Sequence, residues 1–487
     1  MRAGLCAIVL PLALLAGCAA PQAPGPAQAA QVAQVAQAAL ARAGLPPGSL
    51  AYALQPLDGS RPALTQRADD AMVPGSAMKL VTAVVALDRL GINHRGRTEL
   101  LAASAPVDGV DGSVIEGPLI LRGGADPDLD WPALWWLLRQ LRERGVRDIR
   151  GGLVVDRTLF TPARLDVGLP PFDDAPEFAY NVIPDALHFN GSLLDIELQA
   201  TPTGAAARAL PALPGLTVDA SAMTLSTRAC KDWDEDWRPA QRQAAGDGWV
   251  LKLQGSFPAG CQQRASLQLV DRQLLVAAAV RQLWRELGGT LGPGDAEAAA
   301  PPGAVVLATH TGRPLAEVLR GVMKRSDNAL ARLVYLQLGA QAAQPGEPTL
   351  AAADRVVRAW FAAHALDDRG LVLDNGSGLS RSERISPAQL AGLLRANQAG
   401  AQAPELLAAL PVAGVDGTLS RRLKDGPATG LARLKTGTLR DAVGLAGLVP
   451  DASGRPWIFV SLINDPEAAK KGRPVLDALV DWVAAQR

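Results

Sequence analysis

The run Val73-Pro74-Gly75-Ser76-Ala77-Met78-Lys79-Leu80-Val81-Thr82 decides how the rest of the 487-residue chain is read. After Pro74-Gly75 the apolar residues Met78, Leu80, Val81, Val84, Val85 and Leu87 recur at helical spacing until Gly91, which predicts a helix with Ser76 in its first turn. Residues three apart share a helix face. A hydroxyl (Ser76) and an amine (Lys79) therefore stand side by side at a helix N-terminus, where free backbone N–H groups favour developing negative charge. This is the equipment of a serine nucleophile with a lysine base.

Working towards the N-terminus, Leu50 to Leu57 reads as a strand, Asp58-Gly59 as a hairpin turn and Ala63 to Gln66 as the returning strand. The nucleophile helix thus follows an antiparallel hairpin. Val32, Val35, Ala39 and Leu40, with Gly44 behind them, predict an N-terminal helix, and residues 19–31, rich in Ala, Gln and Pro, read as a tether. Residues 1–18 read as a secretory signal, with Arg2 ahead of an apolar run from Leu5 to Ala16 that is too short to span a bilayer. It ends in Leu15-Ala16-Gly17-Cys18, which resembles the bacterial lipobox, so Cys18 is the expected lipidation site. Ordinary cleavage after Ala20 is the alternative. Periplasmic export follows from either, and a membrane contact only through the lipid.

Towards the C-terminus the pattern changes between about residues 98 and 267. Short strands separated by Gly and Pro turns predict an inserted, mostly β region. Its one strong helix starts at the N-cap Asp130 and carries Trp131, Trp135 and Trp136, whose helical spacing is expected to face a core rather than a sugar. The stretch Asp232 to Trp237 reads as a solvated loop. With Cys6 and Cys18 in the leader, Cys230 and Cys261 are left to pair, a bridge worth about 3 kcal/mol on the loop-entropy model. Two buried free thiols are the alternative. From residue 268 helical periodicity returns, with a strand at Val305 to His310, a loop at Asp374 to Ser380 that shapes a wall of the site, and three strands over Leu431–Thr438, Val443–Val449 and Trp457–Ile463. A last helix opens at Pro474. Helices at both ends with strands just inside them predict termini packed on one sheet.

Charge gives no support to a nucleic-acid or acidic partner, since 48 basic residues balance 48 acidic ones. His94, His188, His310 and His364 are scattered without zinc-ligand spacing, so no metal is expected.

Two further short patterns occur once each. Ser326-Asp327-Asn328 lies ahead of a helix, and Lys435-Thr436-Gly437 lies on a strand. Together with Ser76-x-x-Lys79, in this order, they resemble the triplet of the penicillin-recognising serine enzymes. The chain is most similar to the class C low-molecular-mass D-alanyl-D-alanine carboxypeptidase/endopeptidases, whose large insertion matches the 250 positions between Ser76 and Ser326 (326 minus 76). Gly124 to Leu129, Tyr180 to Pro184 and Asp374 to Leu379 also look like that family's text.

The resemblance implies an α+β fold: a penicillin-binding/β-lactamase-like transpeptidase domain, with an antiparallel sheet and flanking helices, formed by residues 32–97 and 268–487 and split by an insertion at 98–267. It implies peptidoglycan peptides ending in D-Ala-D-Ala as substrates, β-lactams as covalent inhibitors and no cofactor. By resemblance Ser76 is acylated, Lys79 is its base, and Ser326 relays a proton to the leaving amine. Asn328 holds the acyl amide, Lys435 attracts the substrate carboxylate with Thr436 and Thr438, and the oxyanion lies on the N–H groups of Ser76 and Thr438, beside Gly437. A neutral Lys79 requires its pKa to fall about three units from 10.4, on the order of 4 kcal/mol of burial and repulsion. The same motifs also suit a β-lactamase or esterase, against which the long insertion argues, and a non-catalytic β-lactam sensor or wall-binding protein, against which the intact motif residues argue.

Overall fold

A computed structural model describes residues 26–246 and 248–487. Residues 1–25, which include the expected leader and Cys18, lie outside the described residues. The first helix spans Pro26–Ala43 and so begins ahead of Val32, taking in the last residues of the expected tether. Ala and Gln lack core-forming bulk but are strong helix formers, and Val32, Ala36, Ala39 and Leu40 are buried, which anchors the helix from its middle.

Both chain ends build one sheet. Its five antiparallel strands run in the order Leu64–Gln66, Leu50–Pro56, Pro456–Asn464, Ala442–Pro450, Arg433–Leu439. Leu54 pairs with Phe459 and Ala446 with Val460. Side chains alternate across a strand. Leu50, Tyr52 and Leu54 accordingly share a core with the terminal helices, whereas Ala51 and Ala53 belong to the opposite core, that of the nucleophile helix.

That helix is preceded by a 3-10 turn at Gly75–Met78 and runs as α-helix over Lys79–Arg89, buried at every position from Lys79 to Leu87. An all-buried helix needs neighbours on all sides. They are the sheet and the helices Leu315–Arg325, Asn328–Ala342, Thr349–Ala363 and Pro387–Ala399.

The second body has its own core and differs from the sequence expectation in extent. Its larger sheet places Arg97–Ala102 between Leu119–Gly124 and Val305–Thr311, and Leu275, Val276, Val280 and Trp284 of the helix Arg272–Glu286 join its core. The chain returns to the first body near Leu315, whose N–H donates to His94 O, rather than at residue 268. Periodicity identifies an amphipathic helix but does not say which core receives its face. The tryptophan helix, Trp131–Glu143, also departs from expectation: Leu134, Leu137, Leu138 and Leu141 take the core, leaving Trp135 39% and Trp136 52% exposed.

Candidate active site

Three stretches far apart in sequence meet where the nucleophile turn abuts the edge strand Arg433–Leu439. The approach leaves no room for a side chain at the third motif's glycine: a methyl on Gly437 would lie 2.2 Å from Pro74 O and 3.2 Å from Ser76 N. Gly75 meets the strand from the other side, with φ +52° and space for a Cβ only 3.0 Å from Thr438 N. The backbone N–H groups of Ser76 and Thr438 are thereby brought to one locality.

Lys79 follows Ser76 by one turn and is fully buried. Its Nζ lies 2.9 Å from Ser76 Oγ and 2.6 Å from Asn328 Oδ1, and it also donates to the Ser377 carbonyl. Burial pushes its pKa well below the ordinary lysine range, and repulsion from Lys435 pushes it further, partly opposed by Glu383 and Asp327. Lys435 is buried as completely, donates to Ser326 Oγ at 2.9 Å and Thr436 O at 2.7 Å, and is pushed down by burial to about 7.

Ser326 stands between two helices in the left-handed region, φ 58°, ψ 39°. Asp327, not Ser326 or Asn328, caps the following helix by accepting from Leu330 N at 2.9 Å. The Ser326 hydroxyl is thus left to face Lys435. Asn328 donates its Nδ2 to Tyr180 O at 3.0 Å. On the edge strand Thr436 donates to Thr418 Oγ1 at 2.8 Å, while Thr438 is exposed. Ser76, Lys79, Ser326, Asn328, Lys435, Thr436, Gly437 and Thr438 therefore form one contiguous site.

The family model described as D-Ala-D-Ala carboxypeptidase 3 (S13) matches residues 31–486. The chain belongs to the S13 family. It is 31% identical to the D-alanyl-D-alanine carboxypeptidase of Actinomadura sp. (strain R39) over 84% of this chain and 76% of that one. In fold it is similar to the crystal structure of penicillin-binding protein 4 from Haemophilus influenzae, with TM-score 0.76, 23% identity, and coverage of 93% of this chain and 98% of that chain. The same protein complexed with a novel β-lactam gives TM-score 0.68 at 22% identity over 89% of this chain and 95% of that one. As an S13 member the chain is a serine-type D-Ala-D-Ala carboxypeptidase, a hydrolase.

Around this S13 centre the inserted body supplies a wall that the sequence does not disclose. Tyr180 O, the partner of Asn328, sits in a segment held by Phe178, whose ring packs 6.0 Å from those of Trp233 and Trp237. Trp237, 9% exposed, donates to Glu177 Oε2 at 3.0 Å. The expected solvated loop at 232–237 is therefore an aromatic anchor, because its tryptophans have Phe178 to bury against. Cys230 and Cys261 are joined, with their Cα atoms 5.4 Å apart.

Sequence reasoning also leaves out Glu383 and Thr82. One carboxylate oxygen of the fully buried Glu383 accepts the N–H groups of Asn375 at 3.1 Å and Gly376 at 3.0 Å, with Asp374 N at 3.4 Å. Thr82 Oγ1 donates to Gly376 O at 2.7 Å. The Asp374 to Gly378 loop, expected as a wall, also contributes the Ser377 carbonyl to Lys79, while the Ser377 hydroxyl turns to Asn375 Oδ1 at 2.5 Å. Backbone acceptors of this kind carry no residue-type signature, although Glu383 could have been noticed as an acid amid a run that must pack against the nucleophile.

Proposed function

We propose that Ser76 is the acylated nucleophile and Lys79 its general base. The observation that carries this is the inventory of partners around the Lys79 nitrogen. A neutral amine has two N–H groups and one lone pair. Asn328 Oδ1 and the Ser377 carbonyl cannot donate, so they take the two N–H groups, and the lone pair is left for the Ser76 hydroxyl proton. Burial and Lys435 both favour that neutral form.

Ser76 Oγ attacks the carbonyl carbon between the two terminal D-alanines as its proton passes to Lys79. The oxygen of the tetrahedral adduct is stabilised by the N–H groups of Ser76 and Thr438. Collapse breaks the C–N bond, and the proton held on Lys79 passes by way of the Ser326 hydroxyl, which bonds Lys435, to the leaving amine, so that Lys79 is neutral again. Water then cleaves the acyl ester, releasing the shortened stem peptide and Ser76. Lys435, with Thr436 and Thr438 beside it, attracts the free carboxylate of the last D-alanine. Asn328 Nδ2 exchanges Tyr180 O for the acyl amide carbonyl. D-alanyl cross-links are cut by the same steps where the amine belongs to a neighbouring stem peptide. The enzyme works outside the cytoplasm, held by lipid on Cys18. Among the described residues no helix is long and apolar enough to cross a membrane.

Labelled penicillin is expected to attach covalently to the wild type at Ser76 and not to Ser76→Ala. Equal labelling of both proteins would sink the assignment.

A further inference from the structure

We propose that Glu383 is a positioning residue that aims the Lys79 amine at Ser76, its buried carboxylate being one of the charges that face that amine. This rests on Lys79 being the base, as proposed above.

Glu383 is fully buried, and among the described residues its Oε2 has no hydrogen-bond partner. Leaving a carboxylate oxygen unpaired inside a protein is costly, so the residue calls for a compensating function. Its other oxygen gathers the N–H groups at the start of the Asp374 to Gly378 loop. Gathering those N–H groups at one point turns the following carbonyls the opposite way. Gly376 O is taken by Thr82 and Ser377 O by Lys79, both on the nucleophile helix. The turn is tight enough that a methyl on Gly376 would lie 2.6 Å from both Thr82 Oγ1 and the Tyr335 ring, and one on Gly378 2.0 Å from Gly75 O. The loop therefore has little freedom once Glu383 holds it, and the Ser377 carbonyl fixes one of the two N–H directions of Lys79. Losing that acceptor would let the amine rotate its lone pair away from Ser76.

The electrostatic part follows from the charges facing Lys79. Lys435 on the edge strand and Arg332 on the helix Asn328–Ala342 disfavour its protonated form. Glu383, ahead of the helix Pro387–Ala399, and Asp327, at the N-cap of Asn328–Ala342, favour it. Burial raises the Glu383 pKa and Asp374 adds to that, while the N–H groups of Asn375 and Gly376 favour its charged form; burial lowers the Arg332 pKa, opposed by Asp374 and Glu383. Removing the Glu383 charge while keeping its shape lowers the Lys79 pKa, so the base is available at lower pH.

The test is the rate of Ser76 acylation by labelled penicillin across pH, measured on the full chain, with thermal midpoints for each variant. Glu383→Gln is expected to move the acidic limb down by about one pH unit and to change the plateau only a few-fold. Glu383→Asp keeps the charge but withdraws the oxygen, and is expected to leave the limb in place while lowering the plateau about tenfold. A folded Glu383→Gln with an unmoved limb overturns the proposal. Where the Glu383 variants do not fold, Thr82→Val, which frees only the Gly376 carbonyl, is expected to lower the plateau, and an unchanged rate overturns the positioning. Wild-type enzyme that takes no label at Ser76 would instead refute the nucleophile assignment.

Discussion

Lys79 and Lys435 are both fully buried and both shifted down, yet their nitrogens are surrounded differently. Lys79 meets three oxygens drawn from three separate stretches, at Ser76, Asn328 and Ser377. Lys435 meets two, one of them a carbonyl of its own strand. A protonated amine has three N–H groups, so Lys435 in its charged form keeps one N–H for an incoming carboxylate. Lys79 in its neutral form keeps none, only a lone pair. Counting acceptors thus separates the proposed base from the proposed anion receptor where residue type and burial do not.

The largest effect that could break this comparison is Lys79→Ala, for which acylation by labelled penicillin is expected to fall about a thousandfold. A loss of less than tenfold would mean that another group takes the Ser76 proton. A smaller, sign-dependent effect concerns Lys435. The cation proposed to receive a carboxylate is lost as pH rises through about 7 in the free enzyme, so kcat/KM for a D-Ala-D-Ala peptide is expected to decline on that side. In Lys435→Arg the guanidinium stays charged, and the alkaline decline disappears. Persistence of the same decline in that variant would show that it belongs to another group. The smallest effect is at Thr418→Val, which removes the partner of the Thr436 hydroxyl. A hydrogen bond of this kind is worth about 1 kcal/mol, so a several-fold rise in KM with kcat retained is expected. A fall in kcat instead would place Thr436 closer to the reacting atoms.

The sheet made from both chain ends was legible because strand alternation and terminal periodicity are carried by side chains. So were the three motifs that the structure brings together, since hydroxyl, amine and amide at fixed spacings are visible in a sequence. The Ser377 carbonyl was not, because its contribution is made by backbone whose direction Glu383 sets from six positions downstream (383 minus 377). The assignment of the helix Arg272–Glu286 failed for a related reason: an apolar stripe at Leu275, Val276 and Val280 fits either core. The exposed Trp135 and Trp136 were misread because the leucines of the same helix already fill its buried face.

The pairing of first and last strands has a consequence for when the enzyme comes into being. Ser76 leaves the ribosome 359 residues ahead of Lys435 (435 minus 76), and the strand that carries Lys435 reaches the hairpin at Leu50 only through Ala442–Pro450 and Pro456–Asn464. A chain still being made or threaded across a membrane holds the proposed nucleophile, Ser76, but not the edge strand against which it is set. On the proposed assignment it is expected to stay inert until residues 433–464 have been delivered, because a chain that stops short of residue 433 lacks the strand Ser76 is set against.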